Sequence, residues 1–385
     1  MPDGAVMHVI TGLYTGGAER MLSQLALYEQ RRGLSPVVVT LLGGGALADH
    51  LAHNGVEVFS LGMTRGQPDP VAAWRLARFI RRRRPDVIQS WMYHADFMAT
   101  IALLVSGRRR ATRFYWGIRC SNMDLRDYGA GLRIVVDACS WMAAIPDAVI
   151  ANSFQGREFH RRLGYRPRRF LVIDNGVDTT LYRPDDEARE KIRRGLGIPN
   201  DVFVVASVAR VDPMKGHTVL LDALGRLPGV AVLAIGDKTE ELPERPGLYR
   251  LGERRDVPEL LAASDAFVSS SLYGEGFSNA VVEAMAAGLP AVVTDVGDSR
   301  RIVGDTGIVV PPGDPESLAR AMKVLANEEP EVRTERRRRA RQRVEAHFSL
   351  AHSMEAFDAL YRGTLLPAGT GEGEDAVAFP SGAAR

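Results

Sequence analysis

Cysteine is the scarcest reactive group in this chain of 385 residues, with only Cys120 and Cys139 present. Two thiols exclude the disulfide framework of small secreted scaffolds and fit a reducing cytoplasm. Both are read as buried structural thiols, because packing explains a cysteine far more often than nucleophilic use does. Lysine is almost as rare, with four against 45 arginines. No apolar run of about 18 residues exists, so no membrane span is expected. The nearest approach, 134–151, is broken by Asp137, Pro146 and Asp147. The first ten residues, MPDGAVMHVI, lack a basic segment followed by a long apolar one, so no secretory signal is expected. The G-x-G-x-x-G fingerprint of dinucleotide sites is also missing, which argues against a nicotinamide enzyme.

What is present is ordinary in bulk and uneven in detail. Hydrophobic residues make up 45% and charged residues 25%, the composition of a globular protein. The length exceeds what one compact core accommodates and implies two domains. The net charge of +2 hides an asymmetry: residues 1–180 hold 23 arginines against 15 acids, a net of +8, and the remainder is −6. A basic first half points to an anionic substrate or surface on that side.

Short Val/Ile/Leu-rich runs alternate with amphipathic stretches. Residues 6–11, 36–42, 56–61, 87–90, 148–152 and 170–174 are predicted strands, with helices such as 17–32 and 70–83 between them. The pattern restarts at 202–209, then 230–235, 248–251, 266–269, 291–294 and 307–310. Two such series predict an α/β protein of two Rossmann-like, doubly wound parallel-sheet domains facing across a cleft. The boundaries are set at 1–185 for the first domain, 186–348 for the second, 349–364 for a closing helix, and 365–385 for a disordered tail. Ligands of such folds bind at the carboxyl ends of the strands.

Three stretches at those ends carry chemistry. Strand 6–11 runs into Gly12-Leu-Tyr14-Thr-Gly16-Gly17 and then a helix, a turn that brings backbone amides and a helix N-terminus to one place and suits an anion. A plain strand-to-helix turn explains it equally well. Strand 202–209 ends in Arg210-Val-Asp-Pro-Met-Lys215-Gly216, where two cations five residues apart are set to converge on a multiply charged oxyanion such as a diphosphate. The bland alternative is a solvated loop. The stretch Leu272-Tyr-Gly-Glu275-Gly276-Phe277-Ser278-Asn279 leads into a short, mostly apolar helix holding Glu283 and stopped at Gly288. A carboxylate on such a helix needs a partner. Amides at its N-terminus would join Arg210 and Lys215 on a diphosphate, while Glu283 receives a ribose and Glu275 a second sugar. Together they describe a nucleotide-sugar pocket.

These motifs, in this order, resemble glycosyltransferase family 4, retaining enzymes of the GT-B fold. Glu275 and Glu283 match its E-x7-E signature, Arg210 with Lys215-Gly216 its R-x4-K-G element, and Gly16-Gly17 its N-terminal glycine loop. Ile150-Ala-Asn-Ser153, Asn175-Gly-Val-Asp178 and Pro311-Pro-Gly-Asp314 fit its habitual segments, and the resemblance covers residues 6–362. The resemblance implies that Arg210 and Lys215 neutralise the donor diphosphate, that Glu283 holds the ribose, and that Glu275 with Gly276, Phe277, Ser278 and Asn279 holds the transferred sugar. Arg254, in the turn Gly252-Glu-Arg254, would pack around the base. His94 resembles the family's sugar-facing histidine, although the family more often has Asn where this chain has Asp96. Arg119 and Tyr14 are assigned to the acceptor side. The segment 116–122 resembles subfamilies that build bacterial surface polysaccharides.

The implied reaction is retaining, metal-independent hexosyl transfer from a nucleotide diphosphate sugar, a UDP-sugar foremost, to a saccharide or lipid-linked acceptor in bacterial glycan biosynthesis. No Asp-x-Asp motif occurs, in keeping with that reading. No cofactor, metal or nucleic-acid partner is expected beyond the sugar nucleotide itself. A nucleotide-sugar epimerase of the same architecture and a silent nucleotide-sugar-binding subunit are the alternatives. A phosphorylase would need a lysine for its pyridoxal phosphate in a chain with few. Arginine clusters at 81–84 and 108–110 are read as solvated surface or as peripheral contacts to anionic lipid at the inner face of the membrane. In the last helix, 351–362, Met354, Phe357, Leu360 and Tyr361 recur at helical spacing and are expected to pack on the first domain.

Overall fold

The structure, a computed structural model, describes residues 5–14, 16–67, 69–119 and 130–364. The tail assigned to 365–385 and Cys120 lie outside the described residues. Cys139 is buried, as expected of a structural thiol.

The chain divides into two compact units: one holds residues up to Asp174 and from Met354 onward, the other Asn175–Ser353. In the first, strands β1 (Val6–Ile10), β2 (Val37–Thr40), β3 (Glu57–Ser60), β4 (Val87–Trp91), β5 (Arg113–Ile118), β6 (Ala148–Ala151) and β7 (Phe170–Val172) form a parallel sheet in the order β3-β2-β1-β4-β5-β6-β7. In the second, β8 (Phe203–Val208), β9 (Val230–Ile235), β10 (Leu248–Gly252), β11 (Ala266–Ser269), β12 (Ala291–Thr294) and β13 (Ile308–Val310) run parallel in the order β10-β9-β8-β11-β12-β13. β1, β2, β4, β6, β11 and β12 are buried almost throughout, because helices cover both faces; that is why β2, β6, β11 and β12 read as mostly apolar runs rather than alternating ones. Asp residues with proline at the first helical position start several helices. Asp69 Oδ1 accepts the Ala72 amide at 2.9 Å, and Asp314 Oδ1 accepts those of Glu316 and Ser317 at 3.1 and 3.0 Å.

The sequence reading omitted β5. Its residues, Arg-Phe-Tyr-Trp-Gly-Ile, contain no Val/Ile run and one glycine, yet they pair with β4 and β6. Gly117 is required there, since a Cβ would meet Ser90 O at 3.0 Å and Gln89 Nε2 at 2.8 Å. Residues 175–185, assigned to the first domain from sequence, group by contact with the second. Val177 bridges Ser349, and Arg341 donates to Tyr182 O and Thr179 O, both at 3.1 Å. The helix Asp186–Leu196 is anchored to the same unit. Its Arg193 and Arg189 each donate to the Asp265 carboxylate at 2.7 Å, and Asp265 Oδ2 also accepts the Val204 amide at 2.8 Å.

The closing helix, Leu350–Arg362, has its residues from Met354 onward in the first unit. Tyr361 OH donates to Gln89 Oε1 at 3.2 Å, Tyr115 OH donates to Leu360 O at 3.2 Å, and Phe357 lies 6.1 Å from Trp91. Burial pushes the Tyr361 phenol well above its usual range, so it serves as a neutral donor.

Candidate active site

Each sheet reverses its strand order once, between β1 and β4 in the first unit and between β8 and β11 in the second. Switch points of this kind open a crevice at the carboxyl ends of the strands. Each unit has a cavity at that place.

The first-unit cavity, of about 230 Å³, is lined by Ile10 and Thr11 after β1, by Ala18 and Glu19 in the glycine-loop helix, and by Trp91 to His94 after β4. Gly16 is the N-cap of the helix Gly17–Arg31 and offers no side chain to its amides. A Cβ on Gly16 would meet Glu19 Oε2 at 2.3 Å. Glu19, overlooked from sequence, therefore places a carboxylate at the helix end read as an anion cradle. The only sequence signal for it is an acid in the first turn, which the helix dipole favours. His94 reaches solvent at this cavity. Burial of its ring lowers its pKa, so the imidazole is neutral at pH 7. Tyr14 stands 51% exposed on the loop. Arg119 turns inward instead: its guanidinium lies 4.9 Å from the Trp91 ring and 5.4 Å from that of Phe357. Burial lowers its pKa to about 10, which leaves it charged at pH 7.

Asp96, two residues beyond His94, is fully buried. Ser90 Oγ lies 2.6 Å from its Oδ1 and 3.3 Å from Tyr115 O. Burial pushes the carboxyl well above its ordinary range, against the bonds from Ser90 and the Gly117 amide. A carboxyl raised on folding supports stability below its unfolded pKa of about 4 and loses that support as pH rises through the folded value. Asp96→Asn keeps one acceptor and one donor with no proton to lose. Its melting temperature should gain on the parent progressively from pH 5 to pH 9, and parallel melting curves would contradict this.

The second-unit recess, of about 240 Å³, is mostly polar: Ser207, Ser269, Ser270, Ser271, Lys215, Glu275, Ser278 and Asn279 line it. Lys215 Nζ donates to Glu275 Oε1 at 2.5 Å, and Ser271 Oγ donates to the same oxygen at 2.7 Å. Ser270 Oγ holds Lys215 O at 2.9 Å. Gly216 takes φ +63° and packs so closely that a Cβ would meet Ser270 O at 2.1 Å, which explains the glycine after Lys215. Ser278 is the N-cap of the helix Asn279–Ala286 but makes no capping bond, so the first amides of that helix have no side-chain acceptor from it. Such an end is suited to an anion. Asn279 Oδ1 accepts from Asn175 Nδ2 at 2.9 Å, and Phe277 packs 5.7 Å from Phe348. Gly276 O accepts the Asp298 amide at 3.0 Å, which pins the loop. Sequence reasoning overlooked Ser269–Ser271, since a serine run after a strand has no distinctive spacing.

The structure thus brings Lys215, Glu275, Phe277, Ser278 and Asn279 together, with Gly276 in the same loop. Arg210 does not line the recess: its guanidinium donates to Asp212 Oδ2 at 3.1 and 3.3 Å and its side chain is 58% exposed. Glu283 is half-buried on the following turn, outside the lining. Arg254 is also outside it, forked onto Asp256 at 2.7 and 2.6 Å. That fork holds the Asp256 carboxyl below its usual range. Among the described residues no cluster of His, Cys, Asp or Glu has the makings of a metal site.

The profile of Glycosyltransferase Family 4 matches residues 15–181, and that of Glycosyl transferases group 1 matches residues 202–328. The chain belongs to the family 4 glycosyltransferases. It is 32% identical over 235 residues to the D-inositol 3-phosphate glycosyltransferases of Mycobacterium tuberculosis and Mycobacterium bovis, a match covering 56% of this chain. The matched region spans about half (48%) of the length of those curated relatives. Among solved structures, Anabaena HepE in complex with UDP superposes with a TM-score of 0.77 at 24% identity, over 93% of this chain and 100% of that one. A Rickettsia africae glycosyltransferase superposes at 0.78 and 19% identity, over 94% and 99%. These likenesses establish the GT-B fold. Among the described residues no helix is long and apolar enough to cross a membrane.

Proposed function

We propose that this family 4 chain transfers a hexosyl group from a nucleoside diphosphate sugar, a UDP-sugar foremost, to a hydroxyl of a saccharide or lipid-linked acceptor in bacterial glycan synthesis, with retained configuration and without metal. The observation that carries the reading is the Lys215–Glu275–Ser271 contact beside an uncapped helix N-terminus in a polar recess at the β8/β11 switch point. An ammonium and free amides suit a diphosphate, and a carboxylate suits sugar hydroxyls. HepE has been solved with UDP and with UDP-glucose, which supports the choice of base.

In this mechanism the acceptor oxygen forms its bond to the anomeric carbon on the face from which the phosphate oxygen leaves. The bond to phosphate breaks with its electron pair, and the departing phosphate oxygen takes the acceptor's proton. Lys215 and the amides of residues 279 and 280 stabilise the charge that develops on the leaving group. Arg210 would join them by exchanging Asp212 for phosphate. Glu275 orients the sugar, Glu283 the ribose and Arg254 the base, while Gly16 and Gly17 join the donor side, a neutral His94 faces the transferred sugar, and Tyr14 and Arg119 serve the acceptor side. Calorimetric titration with UDP, GDP and ADP tests the donor assignment: one nucleotide should bind in metal-free buffer, and Lys215→Ala should lose that binding. Absence of binding by all three would refute it.

Peripheral, cytoplasmic-face contact with anionic lipid belongs to the same proposal. Arg81, Arg83 and Arg109 are committed internally, to Ser106 O at 2.8 Å, to Glu57 and to Asp147 respectively. Arg82, Arg84 and Arg110 remain on the surface. On the helix Pro70–Arg83, Val71 and Trp74 are 59% and 55% exposed beside Arg75 and Arg78, the pairing of apolar and basic groups that suits a lipid interface. Vesicles with anionic lipid should retain the protein at low salt, at about 1 kcal/mol per basic side chain, and Arg82→Glu/Arg110→Glu should release it. Equal retention by neutral vesicles would contradict this.

A further inference from the structure

Met92, between β4 and His94, holds φ 71° and ψ 158°, a region that only glycine adopts without strain and that persists where neighbours over-determine it. Both neighbours are tied to buried histidines. On one side, the indole N–H of Trp91 donates to His8 Nδ1 at 3.2 Å, and His8 Nε2 lies 2.9 Å from Glu29 Oε2. On the other, the hydroxyl of Tyr93 lies 2.6 Å from His160 Nε2, and His160 Nδ1 lies 2.7 Å from Gly156 O. All four rings are buried, at 0–2% exposure.

The hydrogen-bond pattern assigns one tautomer to each histidine. A carbonyl oxygen only accepts, so His160 carries its hydrogen on Nδ1 and takes the tyrosine hydroxyl on Nε2. An indole N–H only donates, so His8 carries its hydrogen on Nε2 and gives it to Glu29. The Met92 amide donates to Gly117 O and Met92 O accepts from the Asp96 amide, each at 2.9 Å, which closes the frame around the turn.

We infer that His8 and His160 are positioning residues: through Trp91 and Tyr93 they clamp the strained Met92 turn and so fix where the His94 imidazole stands in the first-unit cavity. The functional weight of the clamp rests on the proposed role of His94 toward the transferred sugar, but the clamp itself is measurable without turnover.

Trp91→Phe and Tyr93→Phe each remove one donor while keeping a ring, and the double variant removes both. In the full chain with ¹³C-labelled histidine, the His94 ring signal, identified by its loss in His94→Ala, should shift or split in each variant. Its titration midpoint should move up toward that of an open histidine. Donor turnover should fall at least about tenfold in the double variant, because small misplacements of a site group are costly. The Michaelis constant for the sugar nucleotide, set in the other unit, should stay within about twofold. A His94 signal and titration unmoved in both single variants, with only the melting temperature lowered, would overturn the clamp; the singles decide if the double variant does not fold. If His94→Ala leaves turnover intact, the role proposed for His94 fails, and the ring signal still decides the clamp.

Discussion

Lys215→Ala lowers donor turnover by about 100- to 1,000-fold, the loss expected when one fixed group is withdrawn from a developing oxyanion. The ammonium is held at Glu275 Oε1 with its side chain 19% exposed, so it is stationed in the recess rather than ranging through solvent. Glu275→Gln should lose turnover on the same scale while folding normally, because a side-chain amide oxygen still accepts from Ser271. Arg210→Ala should cost less, about tenfold, since Arg210 must first leave Asp212 to reach a phosphate. Steady-state release of nucleoside diphosphate measures all three. A Lys215→Ala enzyme within threefold of the parent would remove this lysine from the leaving-group role.

Asp265→Ala destabilises the second unit by about 3–5 kcal/mol, the range for breaking a buried ion pair by deleting one partner. Arg193, whose side chain is 1% exposed, would keep its charge with only backbone carbonyls to meet it. The Val204 amide would lose the carboxylate oxygen it donates to, and Arg189 its carboxylate partner. Asp295→Ala, which opens the Asp295–Arg300 pair at the surface (side chains 44% and 66% exposed), serves as the control and should barely move the transition. Urea denaturation of both variants decides the matter. Equal midpoints would mean that the Asp265 network is dispensable.

The sheets were legible because their strands are buried on both faces and read as short apolar blocks at regular spacing. β5 was not, since its burial rests on aromatic residues around a glycine rather than on a Val/Ile block. The motif residues were legible as a set, but their pairing was not. Lys215 and Glu275 lie 60 positions apart, and sequence spacing assigned one to phosphate and the other to sugar without anticipating their contact. Arg210 was expected to converge with Lys215; Asp212, two residues away, takes its guanidinium instead. Glu19 and the serines after β11 were invisible for another reason: their part in a cavity depends on which strands the topology sets side by side.

Retaining transfer from a sugar nucleotide is tested by product analysis with anomeric NMR. The enzyme would be incubated, metal-free, with a panel of UDP-, GDP- and ADP-sugars and simple saccharide acceptors. The expected result is release of one nucleoside diphosphate with the sugar in its original anomeric configuration, lost in Lys215→Ala and in Glu275→Gln. An epimerised sugar nucleotide, an inverted product, or tight binding without turnover across the acceptor screen would contradict it.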